Sequence, residues 1–215
     1  MAGMKTISEQ VYEILYEGII SGQIAAGSKL TLKTIQNNLG VSSSPIREAL
    51  TRLTEDGLIS YQPNVGMTVI RFTAKDAYDI FSLAEEFDVI ALKYAWKSAH
   101  HDDMIQSLSH VQEMTVRAMQ SGHMDEWLKF SDEFHNVLIR YSDNSRLEEA
   151  VEKNRKQLSI LSRRYQQDEL NINDITKEHG EILSALEAGD ITLAEQLMRA
   201  HIQASSRRSQ ALFDQ

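Results

Sequence analysis

Cysteine is missing from this chain altogether, which excludes disulfide staples and thiolate metal sites and agrees with a reducing interior. Proline is nearly missing: Pro45 and Pro63 are the only two. About 150 residues therefore follow Pro63 without an imide to break a helix, which favours long helices there. No run of 18 apolar residues occurs, and Met1–Lys5 does not open a signal peptide. The expectation is a cytoplasmic protein with no membrane partner. What is present is ordinary for a globular chain: 215 residues, 42% hydrophobic and 25% charged, enough for one large domain or two modest ones.

A net charge of −9 argues against nucleic acid until it is divided along the chain. Residues 1–71 balance six basic against six acidic side chains, while residues 72–215 hold 16 basic and 25 acidic ones. The acidity thus belongs entirely to the second part. Affinity for DNA depends on charge at the contact surface, not on the average, and an acidic body would repel stray DNA from everything but the head.

Apolar spacing predicts a helix over 5–21, with Ile7, Val11, Ile14, Leu15, Gly18 and Ile19 on its inner face. Lys29-Leu30 reads as a short extended piece, and Thr31 caps a second helix over 32–39 that Gly40 closes. A third helix runs from about Ser43 to Asp56, its start marked by three serines and Pro45. Ile46, Ala49, Leu50 and Leu53 turn inward at i, i+3, i+4 and i+7, leaving Ser43, Ser44, Arg47 and Thr51 outward. A first turn of hydroxyls and one arginine suits a DNA groove, although those residues alone equally describe a capped surface helix. Two strand-like runs, 58–62 and 67–71, flank Pro63-Asn64-Val65-Gly66 as a hairpin, whose place after a helix-turn-helix makes it a wing.

Val11-Tyr12-Glu13-Ile14-Leu15, Gly27-Ser28-Lys29-Leu30, Leu39-Gly40-Val41-Ser42, Pro45-Ile46-Arg47-Glu48-Ala49-Leu50 and Leu53-Thr54-Glu55-Asp56-Gly57-Leu58-Ile59 resemble the winged helix-turn-helix head of the GntR family of bacterial transcription regulators. The resemblance implies DNA contacts at Lys33, Ser42, Ser43, Ser44, Arg47 and Gly66, to which the outward Thr51 and the tip residue Asn64 are added. Two positions depart from the family pattern: Ala26 stands where proline is usual, and Ser43 where arginine is usual. The second removes a guanine or phosphate contact, so the operator of a relative does not transfer.

Residues 73–215 read as six helices, near 74–98, 101–120, 124–141, 145–168, 172–188 and 190–213, forming an antiparallel bundle without tandem repeats or a sustained heptad. Asn144-Ser145, Asp174 and Asp190 mark starts; Gly122 and Gly189 mark stops. The short linker at 71–74 would let movement in the bundle reach the head. His100, His101, His110 and His123 fall at helix ends or on polar faces. His135, His179 and His201 fall on apolar stripes; the stripe of His201 runs through Leu193 and Leu197. His179 precedes Asp190 by eleven residues and His201 follows it by eleven. A reversal at Gly189-Asp190 sets both imidazoles level, about 16 Å from the turn at 1.5 Å per residue. A lone inward histidine is usually a hydrogen-bonded core residue; two at one height with a third nearby indicate a metal or polar-ligand site.

Asp132-Glu133-Phe134-His135, Ser142-Asp143-Asn144, Glu178-His179, Ile182-Leu183-Ser184-Ala185-Leu186 and Met198-Arg199-Ala200-His201 resemble the FCD effector domain of FadR-type GntR regulators. That resemblance implies a divalent metal, zinc or nickel, on His135, His179 and His201, with an aspartate four residues before the first. Ser131 occupies that place; Asp132 lies about 100° further round the helix. Phe81 replaces an arginine that would hold a carboxylate effector, and Glu85 follows one turn later. Phe81, Glu85 and Ser131 define the candidate effector pocket. Of the carboxylates Glu85, Glu178 and Asp132, none stands at the spacing of a general base, and no nucleophile motif occurs, so a metal-dependent hydrolase is the lesser alternative.

The expected architecture is mainly α: a winged helix-turn-helix over 1–72, with a small β-hairpin, and an all-helical effector-binding and dimerisation domain over 73–215. The expected function is that of a metabolite-responsive regulator. It would bind a palindromic double-stranded DNA operator as a homodimer and answer to a small-molecule effector.

Overall fold

The computed structural model describes residues 5–166 and 168–213. The chain divides into two compact units, Met1–Thr73 and Ala74–Gln215.

In the first unit, α1 (Ile7–Ile20) opens on a capping box in which the Thr6 side chain accepts from the Glu9 amide while Glu9 accepts from the Thr6 amide. Its buried residues are Ser8, Val11, Tyr12, Leu15, Gly18, Ile19 and Ile20. Ile7 and Ile14, expected on the inner face, are exposed. The stripe turns around Tyr12 instead, whose hydroxyl reaches Asp56 Oδ2 at 2.6 Å and whose ring carries the Arg52 guanidinium 4.3 Å from its centroid. After the short strand β1 (Lys29–Leu30), α2 (Leu32–Leu39) is capped by Thr31 and closed by Gly40 with φ 66°. Then α3 (Ser43–Glu55) buries Ile46, Ala49, Leu50 and Leu53. The Ser42 hydroxyl, at the N-cap, makes no capping hydrogen bond, contrary to the expected serine cap.

Strands β2 (Ile59–Gln62) and β3 (Gly66–Val69) form the hairpin. The extended piece at Lys29-Leu30 joins it, giving an antiparallel sheet of order β1-β3-β2 with Lys29 and Ser60 both opposite Thr68. Gly27 has φ 81°, and a Cβ there would run into the Arg71 guanidinium, so this corner admits only glycine.

The second unit comprises α4 (Ala74–Lys97), α5 (His101–Ser121), α6 (Met124–Tyr141), α7 (Ser145–Tyr165), α8 (Glu169–Glu187) and α9 (Ile191–Gln210). The fourth expected span, 145–168, crosses Gln167, which lies outside the described residues. Helix α8 starts earlier than expected because Asp168, not Asp174, caps it, accepting from the Leu170 amide at 2.9 Å. Three helices meet at Thr176 of α8. Trp127 Nε1 donates to its hydroxyl at 2.9 Å, and Gln112 Nε2 donates to its carbonyl at 2.9 Å. Trp127 is fully buried, so the indole N–H needs that partner.

Leu53 is fully buried between α3 and the head's other elements. Leu53→Ala is expected to destabilise the head by about 2–5 kcal/mol. Urea unfolding followed by circular dichroism measures this, and a loss well under 1 kcal/mol would contradict the packing described.

Candidate effector and DNA-contact sites

On the head, Lys33, Ser42, Ser44, Arg47, Thr51 and Asn64 are exposed, and Ser43 and Gly66 half-exposed. Periodicity places Ser43, Ser44 and Arg47 on the first two turns of α3, opposite the buried Ile46-Ala49-Leu50-Leu53 face. The Thr51 hydroxyl is engaged on its own helix, donating to the Arg47 carbonyl at 2.9 Å. At the wing tip Asn64 has φ 65° and Gly66 φ 99°. Such backbone favours asparagine and glycine, and it turns the chain between β2 and β3. The amide N–H groups at the start of α3 present a positive helix end beside the Ser42 hydroxyl.

In the bundle the three histidines converge. His135 comes from α6, His179 from α8 and His201 from α9, and all are buried. His179 Nε2 and His201 Nε2 are 3.3 Å apart. One ring nitrogen from each of the three lies within 4.8 Å of the others. The stripe carrying His201 runs through Ala194, Met198, Ile202 and Ser205; Leu193, expected on it, is exposed. The level placement arises because α8 and α9 reverse at Gly189, whose φ of 75° permits the turn.

Carboxylates flank two of the three rings. Glu178 Oε2 lies 2.7 Å from His201 Nδ1, and Arg208 holds the same carboxylate at 2.6 Å and 3.2 Å. Asp88 of α4 contacts Arg155 through Oδ1, while its Oδ2 lies 2.9 Å from His135 Nδ1. Phe134 stacks on His179 with centroids 4.3 Å apart, and His179 Nδ1 is buried without a hydrogen bond. Burial drives the His135 pKa down to about 4, against the raising effect of Asp88. His179 is pushed well below the usual value, first by burial and then by its two histidine neighbours. Burial would raise Asp88, but Arg155 and then His135 outweigh it, so its pKa is lowered. Glu178 is likewise lowered, its burial outweighed by His201 and Arg208. Neutral imidazoles with lone pairs turned together, beside ionised carboxylates, are the donor set a zinc or nickel ion takes. The residues fit such an ion: the close Nε2 atoms of His179 and His201, with a ring nitrogen of His135, offer three nitrogen donors within 4.8 Å of one another.

A cavity of about 30 Å³ adjoins the histidines. Phe81, Ser131, Asp132, Arg155 and Tyr165 line it together with His135 and His201. It holds one or two waters as it stands, so a metabolite must displace side chains to enter. Phe81 and Ser131 are thus brought to one place. Glu85 is not: it faces α9, bonded to Arg199 at 2.8 Å and to Gln203 at 3.2 Å. Asp132, half-buried, has its pKa raised to about 6 by desolvation. A larger groove of about 830 Å³, between α5, α8 and α9, contains no histidine. Sequence reasoning missed Asp88 and Arg155. Asp88 left a signal, being a charge in phase with Phe81, Ala84, Ala91, Leu92 and Ala95. Arg155 left none.

A winged head joined to a helical bundle with a buried polar centre defines a DNA-binding regulator with a separate sensory unit. Residues 7–69 match the family described as bacterial regulatory proteins, gntR family, and residues 79–204 match the FCD domain. The chain belongs to the GntR family of transcription regulators, in the branch that carries an FCD domain. It is 25% identical over 193 residues to the HTH-type regulator YdhC of Bacillus subtilis, covering 89% of this chain and 86% of that one. It is 24% identical over 198 residues to the transcriptional repressor RspR of Escherichia coli, covering 92% and 86%. Among solved structures, Escherichia coli McbR/YncC superposes with a TM-score of 0.82 at 20% identity, covering 98% and 100%. A GntR regulator from Rhodococcus sp. RHA1 superposes at 0.79 and 20%, covering 94% and 96%. YdhC and RspR are named as transcription regulators, not as enzymes. No described helix is long and apolar enough to cross a membrane.

The histidines also set an acid dependence. An unfolded chain protonates both His135 and His179 near pH 6.5, whereas the folded chain protonates His135 only near pH 4 and His179 only well below its usual value. Between those values the unfolded state binds more protons, so stability falls as pH falls. Asp132 acts oppositely, because its folded form protonates first, but it is one group against two. Metal-stripped protein is therefore expected to lose thermal stability from pH 6.5 towards 4, and His179→Phe to flatten that slope. An unchanged slope in the variant would contradict the buried neutral state of His179.

Proposed function

We propose that this regulator works as a homodimer in the cytoplasm, its two winged heads gripping a palindromic operator. A small polar ligand bound in the helical unit, beside a divalent ion on His135, His179 and His201, changes the poise between the two heads. The observation that carries the reading is the meeting of three buried, mutually close imidazoles with a polar cavity, in the unit separate from the winged head. Zinc or nickel suits the nitrogen donors. The bound ion would supply a Lewis-acidic anchor for an oxygen-bearing ligand. Ser131, Arg155 and Tyr165 are placed to hydrogen-bond such a ligand, and Phe81 packs against its apolar part.

On DNA, Arg47 serves as the base-reading side chain of α3, and Ser42, Ser43, Ser44 and Thr51 follow the backbone around it. Lys33 binds a phosphate from α2, and Asn64 and Gly66 carry the wing along the duplex. Support for a second copy comes from α4, where Leu83, Ile90 and Tyr94 are exposed at spacings of seven and four residues. An apolar outer stripe on a helix already packed on its inner face calls for a cover.

The test uses a duplex selected from a random pool by the purified protein. Arg47→Ala is expected to weaken binding by about 1–3 kcal/mol, roughly tenfold to a hundredfold. Lys33→Ala is expected to weaken all sequences alike and to reduce the salt dependence by about one counterion. Ser43→Arg is expected to tighten binding. Affinity untouched by Arg47→Ala would remove α3 from the groove.

A further inference from the structure

We infer that Glu178, braced by Arg208, is the positioning residue that keeps the His201 proton on Nδ1 and turns the ring's Nε2 lone pair into the histidine cluster. The inference rests on the metal reading of that cluster. The three residues stand on two helices. Glu178 belongs to α8, one residue before His179, and His201 and Arg208 belong to α9, two turns apart. Two turns of helix return a side chain to nearly the same face, so His201 and Arg208 meet one carboxylate from α8.

Hydrogen-bond geometry settles which atom carries the proton. Glu178 Oε2 lies 2.7 Å from His201 Nδ1, a distance that two bare lone pairs cannot share, so one of the two atoms bears a hydrogen. Arg208 decides which. Its Nη2 donates to Oε1 at 2.6 Å and its Nη1 to Oε2 at 3.2 Å, so the guanidinium fork takes both oxygens as acceptors. A carboxylate held in that way only accepts, which leaves Nδ1 as the donor. The neutral ring then has its lone pair on Nε2. That nitrogen is the one turned to the cluster, 3.3 Å from His179 Nε2.

An ion pair between helices would not by itself need this arrangement. Arg208 has a second acidic neighbour in the largely exposed Asp174, yet reaches it only at 3.5 Å. Its closer contacts go to Glu178, whose side chain is 24% exposed, beside a ring that is 4% exposed. Metal-ligating histidines commonly donate their second nitrogen to a carboxylate, which fixes the ring and raises the basicity of the ligating atom. Glu178 gives His201 that partner, whereas His179 Nδ1 is buried with none.

The experiment uses full-length, untagged protein, stripped with a chelator and labelled with 15N. Two-bond proton–nitrogen spectra at about pH 8, above the ordinary imidazole range, read the tautomer, and the His201 signal is the one lost in His201→Gln. Zinc titration by calorimetry with a competing chelator reads affinity, and circular dichroism checks folding. In the wild type His201 should be the Nδ1–H tautomer, and zinc should bind. In Glu178→Ala the excess of that tautomer should be lost, and zinc should bind tenfold to a hundredfold more weakly with the helical signal intact. If Glu178→Ala does not fold, Glu178→Ala with Arg208→Met removes the stranded charge and should show both losses. A wild-type His201 protonated on Nε2, or on both nitrogens, overturns the inference. So does zinc affinity within twofold of wild type in the folded Glu178 variant. The two readings fail separately. If the wild type takes up no zinc, the metal reading fails and the positioning role falls with it, whatever the tautomer. If Glu178→Ala binds zinc like the wild type while His179→Ala abolishes binding, only the role of Glu178 fails.

Discussion

Burying a nitrogen or a carboxylate oxygen without a partner costs about 1–3 kcal/mol. The helical unit does so at His179 Nδ1, which is buried without a hydrogen bond, and beside it the unit buries the Asp88 carboxylate against His135 Nδ1. That cost must be carried by the surrounding helices. Phe134 stacks on His179, Arg155 and Arg208 neutralise the two carboxylates, and α4, α6, α8 and α9 close over the rings. An apolar core in the same place would be simpler and at least as stable. The cluster therefore reads as a site kept at the expense of packing, and the unit's long helices supply the burial that keeps it.

The head solves a different problem. Its sheet and three helices bury a small core, centred on Ile46, Leu50 and Leu53 of α3. The same helix must leave its opposite face free for a partner. The division is set by period: every residue with an inward role falls on one stripe, so the serines and Arg47 are exposed by default. Strand β1 adds stiffness to the wing by pairing with β3. Neither unit is specialised by composition alone. The acidic excess is confined to the part that senses, and the neutral part is the one that presents cations locally.

Much of this was legible in the residues. Helix order, the α3 face, the hairpin and the three inward histidines all follow from period, caps and turn residues. The eleven-residue symmetry about Asp190 placed His179 and His201 level before any coordinates, and their Nε2 atoms are 3.3 Å apart. Where reading failed, the cause was tertiary. Ile7 and Ile14 have the right spacing but the stripe pivots on Tyr12, whose hydroxyl seeks Asp56. Leu193 stands two turns before His201 and is inward by that spacing, yet Ala194 is the residue buried against the neighbouring helices. Glu85 looked free until α9 brought Arg199 and Gln203 against it. Asp88 and Arg155 stand 67 residues apart, and no local pattern announces a pair formed across the bundle.

The most direct measurement is zinc-edge X-ray absorption on the zinc-loaded wild-type protein. Zinc held by His135, His179 and His201 shows three imidazole nitrogens in its first shell, with the outer-shell scattering that imidazole rings produce. A shell of water and scattered carboxylates without three imidazoles would contradict it, because the buried histidines would then be core residues and the sensory centre would lie elsewhere.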